Sequence, residues 1–164
     1  MTDLKAFTYH NPVKVEFGIG VLDSVHERIG NRKVLVITSK SHTKNPLFQS
    51  FLKSVSGSVA YIIDDVKPNP TFNTIKNYHN TIKDKNIDLV LGYGGGSVLD
   101  TAKVLSLYGN CYQDIENIIK GENITEYEIK PIILVPTTAG SGSEVTPWAT
   151  VWDDVNKKKF SLHL

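Results

Sequence analysis

Cysteine is almost absent from this chain of 164 residues, which carries one thiol, Cys111. That excludes an intrachain disulfide framework and a metal cage built from cysteines, and it fits a reducing compartment. Neither sign of charge is in excess: 18 Lys and Arg face 17 Asp and Glu, for a formal net charge of +1. No overall field therefore draws the chain to nucleic acid or to an anionic membrane. No apolar run approaches the ~20 residues of a membrane span, and residues 1–14 hold no apolar signal-peptide core. Internal repeats and low-complexity tracts are missing as well. These absences lead to the expectation of a cytoplasmic protein with neither a nucleic-acid nor a membrane partner. What is there is ordinary globular composition, 40% apolar and 21% charged. A chain of this length buries roughly 70% of its unfolded surface, enough for one sizeable core.

Hydrophobic periodicity supplies the organisation. Residues 6–9 and 13–17 are short extended segments separated by Asn11-Pro12, and they are expected to pair as a small N-terminal β-hairpin. Leu22, Val25 and Ile29 then recur at helical spacing, with Gly30 as the stop. Residues 33–38 are apolar between their ends, as in a parallel strand covered on both faces. Asn45 as cap and Pro46 at the first helical position open a helix with Phe48, Phe51, Leu52 and Val55 on one stripe, closed by Gly57. A strand over 59–63 leads to the turn-rich Lys67-Pro68-Asn69-Pro70-Thr71, then to a helix carrying Phe72, Ile75, Tyr78 or His79, and Ile82. The third strand covers 88–91, a helix follows with Val98, Ala102 and Leu105, a short helix spans 112–120, and a fourth strand covers 131–135. This alternation predicts βαβ units and a doubly wound α/β domain with a parallel sheet. Ligands in such sheets sit outside the carboxyl ends of the strands, which singles out the residues after Thr38, Ile63, Leu91 and Val135.

Two of those places are chemically unusual. Gly94-Gly95-Gly96 follows a buried strand and opens a helix, so its amides can approach a phosphate with no Cβ in the way and with the helix N-terminus adding positive potential. Ser97 is expected as the N-cap and Asp100 as the third helical residue of a Ser-x-x-Asp capping box. The segment is not a standard dinucleotide fingerprint, because Ser97 stands where the third glycine should be. The second place, residues 136–146, packs Thr137, Thr138, Ser141, Ser143 and Thr146 behind a strand end. It reads as a polar ligand loop, or as a connection whose hydroxyls only satisfy the local backbone.

The run Gly94-Gly95-Gly96-Ser97-Val98-Leu99-Asp100-Thr101-Ala102-Lys103, together with Pro136-Thr137-Thr138-Ala139-Gly140-Ser141-Gly142-Ser143-Glu144-Val145-Thr146, closely resembles the iron-containing (group III) alcohol dehydrogenases. Phe17-Gly18-Ile19-Gly20 and Pro68-Asn69-Pro70-Thr71 fit the same pattern in the same order. The resemblance implies that residues 1–164 are a Rossmann-type dinucleotide-binding domain, similar in fold to dehydroquinate synthase and glycerol dehydrogenase. In that family this domain is joined to an all-helical metal domain, whose Asp and three His ligands lie downstream of the segment corresponding to residues 157–164. The chain is therefore expected to be a piece of a dehydrogenase without catalytic or metal residues of its own. His10, His26, His42, His79 and His163 are scattered without ligand spacing.

The resemblance further implies that Ser39, Lys40, Asn69, Gly94, Gly95, Gly96, Ser97, Asp100, Thr137, Thr138, Ser141, Ser143 and Lys159 serve the cofactor, and that Trp148 belongs to the substrate wall. An acidic residue after the first strand would accept from a ribose 2′-OH and repel a 2′-phosphate. Ser39 followed by Lys40 removes the repulsion, so NADP is tolerated beside NAD, although Lys40 also reads as a solvated loop lysine. Lys159 reads equally as part of a surface lysine run, and Trp148 and Trp152 as core. The stretch 148–153 loosely resembles the subgroup that reduces phosphonoacetaldehyde. The activity implied is hydride transfer between a small alcohol or aldehyde and NAD(P), with Fe²⁺ in the complete enzyme and a homo-oligomer left open. The alternatives are a Zn²⁺-dependent dehydroquinate-synthase-like or glycerol-dehydrogenase-like fragment, and a non-catalytic nucleotide-binding module.

Overall fold

The computed structural model describes Thr8 and residues 10–122, 124 and 126–164. In chain order the elements are α1 (Val25–Ile29), β1 (Val34–Ile37), α2 (Lys40–Thr43), α3 (Pro46–Ser54), β2 (Val59–Ile63), α4 (Phe72–Ile82) and β3 (Leu89–Gly94). They continue with α5 (Gly96–Leu105), α6 (Tyr112–Lys120), β4 (Ile132–Pro136), β5 (Trp148–Asp153) and β6 (Lys158–His163). Asn45 caps α3 as expected, its side chain accepting from the Leu47 and Phe48 amides beside Pro46. Thr71 caps α4 by accepting from the Thr74 amide.

β1 to β4 form one parallel sheet in the order β2-β1-β3-β4. Every residue of β1 and β3 is buried, because helices cover both faces. Side chains alternate across the pleat. Val34, Val36, Leu89, Leu91 and Tyr93 face α1 and α3 through Ile29, Phe48 and Phe51. Leu35, Ile37 and Val90 face Ile75, Ile82, Ala102, Leu105, Ile115 and Ile119 of α4, α5 and α6. The doubly wound α/β architecture is as expected.

The expected N-terminal hairpin needs correction. Residues 6, 7 and 9 lie outside the described residues, and 13–17 form no strand. Val15 and Phe17 are 63% and 98% exposed, and extended apolar residues gain little from pairing unless one face is buried. The antiparallel pair is instead β5–β6, with Trp148 opposite His163 and Asp153 opposite Lys158. Its inner residues Ala149, Val151 and Leu162 join the core on the α5 and α6 side. The pair is tied to the turn before α4 by the Trp152 amide donating to Pro70 O at 2.9 Å.

β3 runs further than its apolar residues suggest, through Gly92 to Gly94, and carries α5 tightly against it. A Cβ on Gly92 would lie 2.9 Å from Ala102 Cβ and 3.1 Å from Leu134 Cδ2. We expect Gly92→Ala to cost about 1–3 kcal/mol in urea denaturation, because backbone-anchored neighbours cannot yield. Gly57→Ala, where a Cβ meets nothing within 4 Å, is expected to stay within about 0.5 kcal/mol.

Burial, with Glu116 nearby, pushes the Tyr112 phenol up to about 12, and its hydroxyl donates to Phe72 O at 2.8 Å. Burial and the hydrogen bond to Asp65 raise Tyr78 as well. In the unfolded chain both ionise near ~10. The unfolded state then binds fewer protons than the folded one, so stability falls as pH rises from about 10 towards 12. Tyr112→Phe should flatten that alkaline loss in denaturation series taken at successive pH values.

Candidate nucleotide-binding cleft

In the order β2-β1-β3-β4 the chain leaves β1 in opposite directions, so the switch point falls between the carboxyl ends of β1 and β3. Thr38, fully buried, fastens that end of the sheet. Its amide donates to Ile63 O at 2.8 Å, its carbonyl accepts from Val66 N at 3.2 Å, and its hydroxyl donates to Tyr93 O at 2.8 Å. Above it opens a cleft of about 890 Å³ with four walls: residues 39–42, residues 65–68, residues 95–98, and Thr137 with Thr138.

Seven of the residues expected to serve the cofactor line this cleft: Ser39, Lys40, Gly95, Gly96, Ser97, Thr137 and Thr138. Ser141 stands beside it, since a Cβ on Gly96 would come within 3.1 Å of Ser141 Cβ. A Cβ on Gly95 would lie 3.2 Å from Thr138 Oγ1, so both glycines keep space open where α5 begins. Gly94 lies inside β3, and there a Cβ would fall 2.7 Å from Val98 Cγ2, which assigns it a packing reason of its own.

The expected helix cap is corrected. Gly95 is the N-cap of α5, in extended conformation at φ −80 and ψ 179, and its carbonyl accepts from Val98 N and Leu99 N. Glycine takes this place two residues earlier than Ser97 would. Ser97, inside the first turn, accepts from the Asn69 amide at 3.2 Å. Asn69 holds a left-handed φ of 59, and through this bond the turn before α4 is held against the start of α5.

Asp100 forms no capping box either. One carboxylate oxygen accepts from Ser143 Oγ at 2.7 Å and the other from Thr150 N at 3.1 Å. Lys103, 3% exposed, reaches the carbonyls of Thr146 and Trp148 and lies 3.8 Å from Asp100. Burial lowers the Lys103 pKa, partly offset by Asp100 and Glu144. Asp100 and Ser143 therefore act behind the cleft, clamping the hydroxyl-rich loop and β5 to α5. Lys159, opposite Trp152 on β6, and Trp148, edge-on to His163 at 4.4 Å, lie on the hairpin and are not among the residues lining the cleft.

Sequence reasoning missed His42, Asp65 and Lys67. His42 shows no metal-ligand spacing in the sequence, yet it follows a strand end that the topology rule singles out. Asp65 and Lys67 follow β2 in the same way. Asp65 accepts from the Tyr78 hydroxyl at 2.9 Å.

Fold and cleft together define a doubly wound α/β domain with a glycine-walled, hydroxyl-rich crevice at its switch point. The chain belongs to the iron-containing alcohol dehydrogenase family, whose description matches residues 12–163. It is 30% identical to a choline dehydrogenase of Bacillus subtilis, over 96% of this chain and 41% of that protein. Among solved structures, the NADH-dependent butanol dehydrogenase A of Thermotoga maritima superposes with a TM-score of 0.86 at 30% identity, over 98% of this chain and 42% of that one. The sulfoacetaldehyde reductase of Bifidobacterium kashiwanohense, solved in complex with NAD+, gives 0.84 at 26% identity, over 97% and 43%. The chain thus spans about two fifths of the length of the relatives it matches.

Removing Asp100 should loosen the clamp. Asp100→Ala is expected to cost about 2–4 kcal/mol, since it leaves Ser143, Thr150 and the buried ammonium short of a partner. In a Lys103→Met background the cost should shrink by about 1 kcal/mol or more in a double-mutant cycle, whereas strict additivity would break the coupling.

Proposed function

We propose that this chain is the nucleotide-binding portion of an iron-dependent alcohol dehydrogenase or aldehyde reductase, taking NAD(H) or NADP(H) into the switch-point cleft. The observation that carries this reading is the start of α5. Gly95 and Gly96 open the cleft where a Cβ would meet Thr138 or Ser141, and the first amides of a helix have no acceptor of their own. An anionic diphosphate suits that place by charge and by shape. Family membership and the NAD+-bound relative support the same assignment.

In this reading the amides of Gly96 and Ser97 and the hydroxyls of Ser97, Thr137 and Thr138 hold the diphosphate, with Asn69 and Ser141 at its sides. Ser39 and Lys40 meet the adenosine ribose. That wall carries no carboxylate, which favours tolerance of NADP beside NAD. Asp100, Ser143 and Lys103 serve the cofactor by fixing the loop that bears Thr137 to Ser141. A nicotinamide held there would supply hydride transfer to or from a small alcohol or aldehyde. Among the described residues no group of three or more His, Cys, Asp or Glu side chains could hold a metal ion. The described residues therefore do not fit the family's iron.

Calorimetric titration of the 164-residue chain with NAD+ and NADP+ tests the assignment. Both are expected to bind weakly, with no alcohol turnover by the chain alone. Gly95→Val should weaken binding about tenfold or more by filling the phosphate approach, with the fold kept by circular dichroism. Undiminished affinity in the folded variant would remove the phosphate assignment.

A further inference from the structure

His42 reaches across the switch point. Its Nδ1 lies 3.0 Å from Ser39 Oγ, and its Nε2 lies 3.1 Å from Thr137 Oγ1. Ser39 follows β1 and Thr137 follows β4, while β3 runs between those two strands. The imidazole therefore bridges the carboxyl end of β3, with its ring edge-on to Tyr93 at 5.5 Å. It is half-buried and lines the cleft.

The two ends of this bridge are hydroxyls, and that decides what the ring's charge does. A neutral imidazole has one N–H donor and one acceptor nitrogen, so one of the two hydroxyls donates a hydrogen bond to the ring and the other accepts one from it. An imidazolium donates at both ends. Ser39 Oγ and Thr137 Oγ1 then both accept from the ring, and the hydroxyl that had donated to it is free to turn to another acceptor, beside the Ser41 Oγ that lies 2.8 Å from Ser39 Oγ. Protonation of one side chain thus adds a positive charge and frees a hydroxyl donor at the same place, which is the environment a phosphate dianion needs.

The surroundings point the same way. On its own helix the ring has Lys40, a second cation facing the cleft. From β3 it meets the phenol of Tyr93, which burial holds above its ordinary pKa and hence neutral. From the segment after β4 it meets the Thr137 hydroxyl. After β2 the cleft receives Lys67 and one carboxylate, Asp65, which already accepts from Tyr78. We propose that His42 is a specificity-determining residue that takes up a proton when a ribose 2′-phosphate enters beside Ser39 and Lys40, so that the cleft favours 2′-phosphorylated nucleotides. The proposal deepens the nucleotide assignment and rests on it.

Adenosine 2′,5′-bisphosphate and 5′-AMP differ only in the 2′-phosphate and serve as probes. Each is titrated into the 164-residue chain by calorimetry at one pH in PIPES and in Tris, whose different ionisation heats reveal protons taken up on binding. The bisphosphate is expected to bind more tightly than 5′-AMP and with more proton uptake. In His42→Asn, or in His42→Gln should the first variant fold poorly, that extra uptake should vanish and the preference for the bisphosphate should fall about tenfold, as the loss of the nearby positive charge and of the hydroxyl donor it frees implies. An unchanged preference in a folded variant, or no extra uptake in the parent chain, overturns the role of His42 and leaves the nucleotide assignment standing. Equal affinity of the parent chain for both probes does the same. If neither probe binds the parent chain, the nucleotide assignment itself falls, and this proposal with it.

Discussion

The close approach of α5 to β3 is the constraint on which the rest of the molecule depends. A helix can lie this near a buried strand only if the strand offers no side chains at the contact, and Gly92 and Gly94 provide that. With a Cβ at either position, Ala102 or Val98 would be met at under 3.0 Å. The glycines therefore set where α5 begins as well as how it packs. Gly95 can then turn the chain from strand to helix within one residue, and the amino end of α5 comes out directly at the switch point.

The cleft is assembled from four strand ends, and each is held by a different bond. Thr38 ties β1 to β2 and β3, and Ser97 holds the turn before α4 through the Asn69 amide. Asp100 and Lys103 anchor the hydroxyl-rich loop and β5, while His42 joins the wall after β1 to the wall after β4. All of these are polar groups bonded to backbone or to one another; those of Thr38, Asp100 and Lys103 are buried or partly buried, where an unpaired member would be costly. Such a network ties the walls to one another around a cleft whose lining also includes Val66, Pro68 and Val98.

The hairpin β5–β6 shows how polar and apolar demands meet. Ala149, Val151 and Leu162 complete the core over α5 and α6, while the buried Lys103 is satisfied by carbonyls at the start of β5. Family resemblance had suggested that Lys159 and Trp148 belong to the cofactor and substrate. Both lie on the hairpin, Trp148 on β5 and Lys159 on β6, and neither is among the residues lining the cleft.

The local elements were largely legible in the sequence. The apolar runs of β1 and β3, the Asn45-Pro46 helix start, the stripe of α4 and the span of α6 depend on neighbours three or four residues apart or on burial of a continuous run, and both are written in the order of residues. The candidate site was legible in part: the strand-end rule and the glycine run located the cleft. The sequence did not decide which groups would use their polar atoms on one another. Asp100 and Ser143 are 43 residues apart, and His42 and Thr137 are 95 apart, so only the sheet order brings each pair together. The same holds for the cap of α5. Ser97 has the chemistry of a cap, but the packing of Gly94 against Val98 starts the helix at Gly95, and it was tertiary contact that settled the choice.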